Sequence, residues 1–182
     1  EPECIHFEDC GGCSFQNYNY DEQLKQKNQQ VKDLLNHIAG VKTAKFSKIK
    51  KAKEIYNYRN KMEFTFSNDA WFEKYNPKEK QPVCIGLHPK GRFDKTIDLE
   101  DCKIQTKIAN QIVDIVRKVS IENKLEPYDI KNHIGFLRQL VIRSANYKNE
   151  TMVIIVTSTN DKEKLTPIIE ELKKIKEVKS II

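Results

Sequence analysis

Residues 137–159 read LRQLVIRSANYKNETMVIIVTST, and this stretch decides the fold class. Two β-rich runs flank a polar turn, which is most simply a hairpin of antiparallel strands. Immediately upstream, TKIANQIVDIVRKVSIENK (106–124) repeats apolar residues at helical spacing, with Ile108, Ile112, Ile115, Val116 and Val119 expected inward. Downstream, Asn160 or Asp161 can cap a helix over 161–175, with Pro167 tolerated in its early turns. VKSII (178–182) reads as the first residues of a further strand.

The same alternation recurs nearer the start. YRNKMEFTFS (58–67) places Met62, Phe64 and Phe66 on one face and Lys61, Glu63 and Thr65 on the other. VCIGLHPKGRFDKTIDL (83–99) reads as two strands around a turn from Pro89 to Gly91, and NDAWFEKYNPKEKQP (68–82) as a turn-rich insertion. DEQLKQKNQQVKDLLNHIAG (21–40) is an amphipathic helix, with Leu24, Val31, Leu34, Leu35 and Ile38 in its apolar stripe. Asp21 is the expected cap and Gly40 the stop; a basic connector, VKTAKFSKIKKAKE (41–54), follows. Strand pairs segregated from helices predict an α+β fold, a mostly antiparallel sheet with packed helices and an N-terminal cysteine-rich loop. The division expected is a cluster-binding loop over 1–20 and an α+β domain over 21–182. No Gly-rich loop has the spacing of a dinucleotide or P-loop site.

Among 182 residues, 32% are charged and the formal net charge is +6, which suits a polyanionic partner. No run approaches the roughly 20 apolar residues that cross a bilayer, and no secretory leader pattern opens the chain. The expectation is a cytoplasmic protein without membrane attachment. There, clustered thiols bind metal or do redox chemistry more often than they form disulfides. The chain opens without Met and directly into a motif, so it reads as a piece of something longer.

That motif is CIHFEDCGGC (4–13), in which Cys4, Cys10 and Cys13 form C-x5-C-G-G-C. The paired glycines let the backbone fold tightly and aim N–H groups at sulfur. Three thiolates need a fourth ligand, and Cys102, just beyond a strand, is preferred to Cys84 within one. Zinc and a [4Fe–4S] cluster both accept four thiolates. Structural zinc sites usually draw on two close pairs, whereas three local cysteines and one distant one favour iron–sulfur.

CIHFEDCGGCSFQNYNYDEQLKQK, YRNKMEFTFS, IGLHPKGRFDKTIDLEDC and LRQLVIRS occur in the order found in the 23S rRNA (uracil-5-)-methyltransferase family. Nearly the whole chain resembles the central region of that family. The resemblance implies an iron–sulfur domain that follows a TRAM domain and precedes an S-adenosylmethionine-binding domain. It implies Cys102 as the fourth cluster ligand. It also implies that the nucleophilic cysteine and carboxylate base lie in the C-terminal domain, so no catalytic residue is expected here and S-adenosylmethionine belongs to the full-length enzyme. The partner implied is RNA, 23S rRNA above others, with the TRAM and methyltransferase domains in cis.

Cations for phosphates and rings for bases are what such a role requires. The candidates are Arg59 and Lys61 beside Tyr58, Lys90 and Arg92 at the hairpin tip, and Arg138 at the head of LRQLVIRS. Phe15, Gln16 and Tyr20 follow the cysteine loop closely enough to be presented by it. Two other classes compete: an iron–sulfur electron-transfer protein, and a zinc-stapled nucleic-acid-binding module.

Overall fold

The computed structural model describes residues 1–42, 45–71 and 82–182. Most of the expected turn-rich insertion, residues 72–81, lies outside that set. The described elements are α1 (Tyr20–Asp33), continued by one π turn (Leu34–Ile38), β1 (Lys61–Ser67), β2 (Cys84–Leu87), β3 (Ile97–Asp98), α2 (Lys107–Glu122), β4 (Leu137–Ala145), β5 (Glu150–Thr157), α3 (Lys162–Lys173) and β6 (Val178–Ile181). The six strands form one sheet in the order β3-β2-β1-β4-β5-β6. Every neighbouring pair is antiparallel except β5 and β6, which run parallel because α3 carries the chain back between them. The α+β expectation holds.

The hairpin that decided the fold class is present, with Ala145 opposite Glu150 at its turn and Ile142 opposite Val153 in its middle. β1 lies against it, pairing Met62 with Ile142 and Phe64 with Leu140. Period-2 alternation sends Met62, Phe64, Phe66, Leu140, Ile142, Val153 and Ile155 to one face, where all are buried. Helices α2 and α3 supply the second layer. Ile112, Val116 and Val119 of α2 and Ile168 and Leu172 of α3 fill the same core. Thr106 caps α2 by accepting from the Ala109 N–H, and Asp161 caps α3 by accepting from Lys164.

Two local expectations are corrected. Asn19, not Asp21, caps α1, its side chain accepting from the N–H groups of Asp21 and Glu22. Of the apolar stripe on the first helix only Leu24 is buried; Val31, Leu34 and Ile38 are exposed and Leu35 is half-buried. Helical spacing reports that a face is apolar, not that a described neighbour covers it.

An ion pair closes the other end of the sheet. Arg117 on α2 reaches Asp98 on β3 at 3.0 Å, while the Ile85 N–H donates to the same carboxylate oxygen at 2.9 Å. Arg117 also donates to the Leu99 carbonyl at 2.6 Å. The β2–β3 approach is close, since a Cβ at Gly86 would stand 1.6 Å from the Ile97 carbonyl oxygen. This edge matters because the chain runs from β3 directly into Cys102.

Candidate nucleic-acid interface and cysteine site

The cysteine loop is docked on the turn between β2 and β3. Cys10 bridges Pro89, and the Gly11 N–H donates to the His88 carbonyl at 3.0 Å. A Cβ at Gly11 would come within 2.8 Å of that same oxygen, which is why glycine occupies the position. Lys90 reinforces the docking, its ammonium lying 5.4 Å from the centre of the Phe7 ring. On the opposite side, fully buried His6 accepts from the Glu100 N–H through Nε2 at 3.2 Å. His6 gave no signal in the sequence, having no ligand spacing, yet it ties the loop to the segment leading to Cys102.

These contacts bring the thiols of Cys4, Cys10, Cys13 and Cys102 within electrostatic reach of one another. Burial pushes the Cys10 thiol up to about 11, and the neighbouring Cys102, Cys13 and Cys4 add to the rise. Burial also raises Cys4 and Cys102, each further raised by Cys13. Backbone N–H groups oppose the shift: His6 donates to Cys4, Gly12 to Cys10, and Gln105 and Ile104 to Cys102. Gln16 donates from Nε2 to the Cys13 sulfur at 3.2 Å and accepts the Cys4 N–H through Oε1 at 3.3 Å. None of the five cysteines is joined in a disulfide. N–H groups aimed at buried sulfurs are the surroundings a bound thiolate needs. Among the described residues, no group of three or more His, Cys, Asp or Glu side chains is arranged to hold a metal ion.

Cys84 is elsewhere. It is fully buried in β2, and burial pushes its thiol up to about 12, with Asp98 adding to the rise. Cys10, by contrast, feels the other three thiols and not Cys84 among its largest influences.

The five candidate cations are all exposed, but they are not equally free. Lys61 pairs with Glu63 at 2.5 Å on the open face of the sheet, where Arg143 stands opposite it on β4. Arg59 precedes β1 rather than sharing its face; its Nε donates to the Lys61 carbonyl at 3.2 Å. Arg92 grips Asp94 through two bonds of 2.9 and 3.0 Å and holds that carboxyl down to about 2. Arg138 stacks on Tyr128 at 4.6 Å. Strict alternation would put Arg138 and Arg143 on opposite faces, but the register shifts between Leu137 and Gln139, and both side chains are exposed.

A groove borders the cysteine loop. Its cavity of about 870 Å³ is walled by residues 12–20, the start of α1 and part of the segment 52–58. Phe15, Gln16 and Tyr20 line it, joined by Tyr18, Tyr56 and Tyr58. The sequence carried a sign of it: Tyr-Asn-Tyr occurs twice, at 18–20 and 56–58, once in each wall.

No family model matches the chain. Curated relatives do. An uncharacterized RNA methyltransferase of Chlorobaculum tepidum is 34% identical over 177 residues, covering 94% of this chain and 37% of the relative. The chain is similar to part of an RNA methyltransferase. A second such protein, from Caldanaerobacter subterraneus subsp. tengcongensis, is 36% identical over 170 residues, covering 93% of the chain and 36% of the relative. The chain thus spans little more than a third of the length of these relatives. Among solved structures, the tRNA (uracil-54, C5)-methyltransferase of Pyrococcus abyssi, in complex with S-adenosyl-L-homocysteine, superposes with a TM-score of 0.63 at 22% identity. That match covers 90% of this chain and 35% of the other and is a likeness of fold. Among the described residues no helix is long and apolar enough to cross a membrane.

Proposed function

We propose that this chain is the RNA-gripping, iron–sulfur-carrying central domain of an S-adenosylmethionine-dependent uridine C5 methyltransferase acting on 23S rRNA. The observation that supports the reading is that Cys4, Cys10 and Cys13 lie close enough to Cys102, from a segment 89 residues beyond Cys13, for the four sulfurs to influence one another. A tetrahedral zinc with bonds of about 2.3 Å needs its four sulfurs packed against one another, whereas a polynuclear cluster spreads them around itself. Three local cysteines and one distant one are what favour the larger group. When bound, the cluster supplies a rigid staple between the N-terminal loop and the sheet. The methyl donor and the groups that attack and deprotonate uracil belong to the rest of the enzyme.

The RNA contacts proposed are Arg59 ahead of β1, Lys61 at its start, Lys90 and Arg92 at the β2–β3 turn, and Arg138. The curated relatives named as RNA methyltransferases support an RNA partner. A tRNA uridine is the second reading, favoured by the substrate of the Pyrococcus abyssi enzyme.

Anaerobic reconstitution with iron and sulfide, followed by titration with fragments of 23S rRNA and with tRNA, tests the proposal. The expected protein is brown and absorbs broadly near about 400 nm. It binds the rRNA fragment with an affinity that falls steeply with salt, and Arg59→Ala with Lys61→Ala lowers both affinity and salt slope. Colourless protein holding stoichiometric zinc would sink the cluster. Tighter binding of tRNA than of any rRNA fragment would move the substrate assignment to the second reading.

A further inference from the structure

We infer that the groove beside the cysteine loop holds an unpaired nucleotide of single-stranded RNA, its base stacked on the tyrosine and phenylalanine rings. This rests on the reading of the chain as an RNA-gripping domain and assigns the place where a base is taken. The cavity, about 870 Å³, lies within the range of small-ligand sites. Phe15 and Tyr58, one in each wall, are 63% and 61% exposed. Clustered open rings on a protein surface mark a place where something docks. Flat side chains lining a groove suit bases in particular, since every base offers a π-face.

The walls are held in place before any ligand arrives. The Gln23 side chain donates to the Phe15 carbonyl at 3.0 Å and to the Tyr18 carbonyl at 2.7 Å, fixing the loop that presents both rings. The Tyr20 hydroxyl accepts the Ala52 N–H at 3.0 Å and ties the second wall to the first. Pre-ordered rings lose little freedom on binding.

Cations lie in and next to the groove. Lys27 lines the groove, and the chain enters the second wall through a run holding Lys48, Lys50, Lys51 and Lys53. Lys51 is paired with Asp21, and Glu1 and Glu54 also border the cavity. The lining itself carries no excess of cations, so phosphates flanking a stacked base would be met by Lys27 and by the lysines of that run outside the cavity. Base-paired RNA hides its base faces in the stack, so the groove selects single strands.

The test uses the full chain and a fluorescein-labelled ten-residue oligouridylate, with an RNA duplex as competitor. Phe15→Ala and Tyr58→Ala are each expected to weaken oligouridylate binding about tenfold, the usual effect of losing one stacking ring. Tyr58→Phe should keep the affinity, and Tyr147→Ala, a fully exposed ring on the β4–β5 turn, should leave it unchanged. Duplex should compete poorly. Salt-dependent binding indifferent to Phe15 and Tyr58 would overturn the groove assignment while leaving the RNA-gripping reading intact; a groove built for a polypeptide would give that result. If the unaltered chain binds neither RNA, the functional reading fails and the groove assignment with it.

Discussion

Arg117 and Asp98 face each other at 3.0 Å with both side chains nearly buried, and they join the long helix α2 to the shortest strand of the sheet. Asp98 holds three donors on one oxygen: the Ile85 N–H, Arg117 Nε and Arg117 Nη2. Replacing Arg117 by Met leaves a buried carboxylate with the backbone donor alone. The expected loss is about 3 kcal/mol, the low end of what breaking one side of a buried pair costs. Urea unfolding monitored by circular dichroism measures it; a loss below about 1 kcal/mol would mean that water reaches Asp98 in the folded chain.

Gly86→Ala should be worse for the site than its size suggests. The new methyl would fall 1.6 Å from the Ile97 carbonyl oxygen, so β2 and β3 cannot keep their pairing. The expected cost is about 3 kcal/mol or more, from overpacking against backbone that cannot yield. Because β3 leads into the Cys102 segment, thiol titration should show Cys102 reacting faster in the variant. Unchanged stability and unchanged thiol rates would contradict the role given to that edge.

Cys102→Ser should abolish the absorption near about 400 nm after reconstitution, and Cys84→Ser should retain it. Both cysteines are buried, so exposure does not separate them. What does is company: Cys102 senses Cys4 and Cys13, while Cys84 senses Asp98, Arg117 and Asp69. The reverse pattern of chromophore loss would reassign the fourth ligand.

Metal uptake by the four thiols should weaken as pH falls. Burial holds Cys10 protonated up to about 11 in the metal-free chain and shifts Cys4 and Cys102 in the same direction. Each thiol must release its proton to become a ligand, so apparent affinity should drop about tenfold per pH unit for every proton displaced. Zinc titration by calorimetry in two buffers of different ionisation enthalpy counts those protons. Affinity independent of pH between about pH 6 and about pH 8 would exclude thiolate ligation by these residues.

Much of this architecture was legible because alternation and helical spacing are local. Met62, Phe64 and Phe66 announced a half-buried strand and are buried; Ile112, Val116 and Val119 announced a core-facing helix and are buried. The parallel placement of β6 was not legible, since VKSII has the same composition whichever way its neighbour runs. β2 is silent in another way: Cys84, Ile85 and Gly86 are all buried, so both faces of that strand are covered and alternation carries no burial signal. The stripe on α1 shows the converse limit, an apolar pattern without a described partner. Within the site, the cysteine spacing located the loop, while His6 and the second Tyr-Asn-Tyr wall emerged only when the chain was folded.

Gln16 touches both Cys4 and Cys13 and also forms part of the wall of the aromatic groove. Under the proposed reading, one amide therefore belongs to two binding equilibria. Thermodynamic reciprocity then requires that whatever the filled cysteine site contributes to RNA affinity, bound RNA returns as retention of the cluster. If that reading holds and the coupling is favourable, the chain stripped of its cluster would hold RNA less firmly, and the chain already seated on RNA would be the last to surrender its metal.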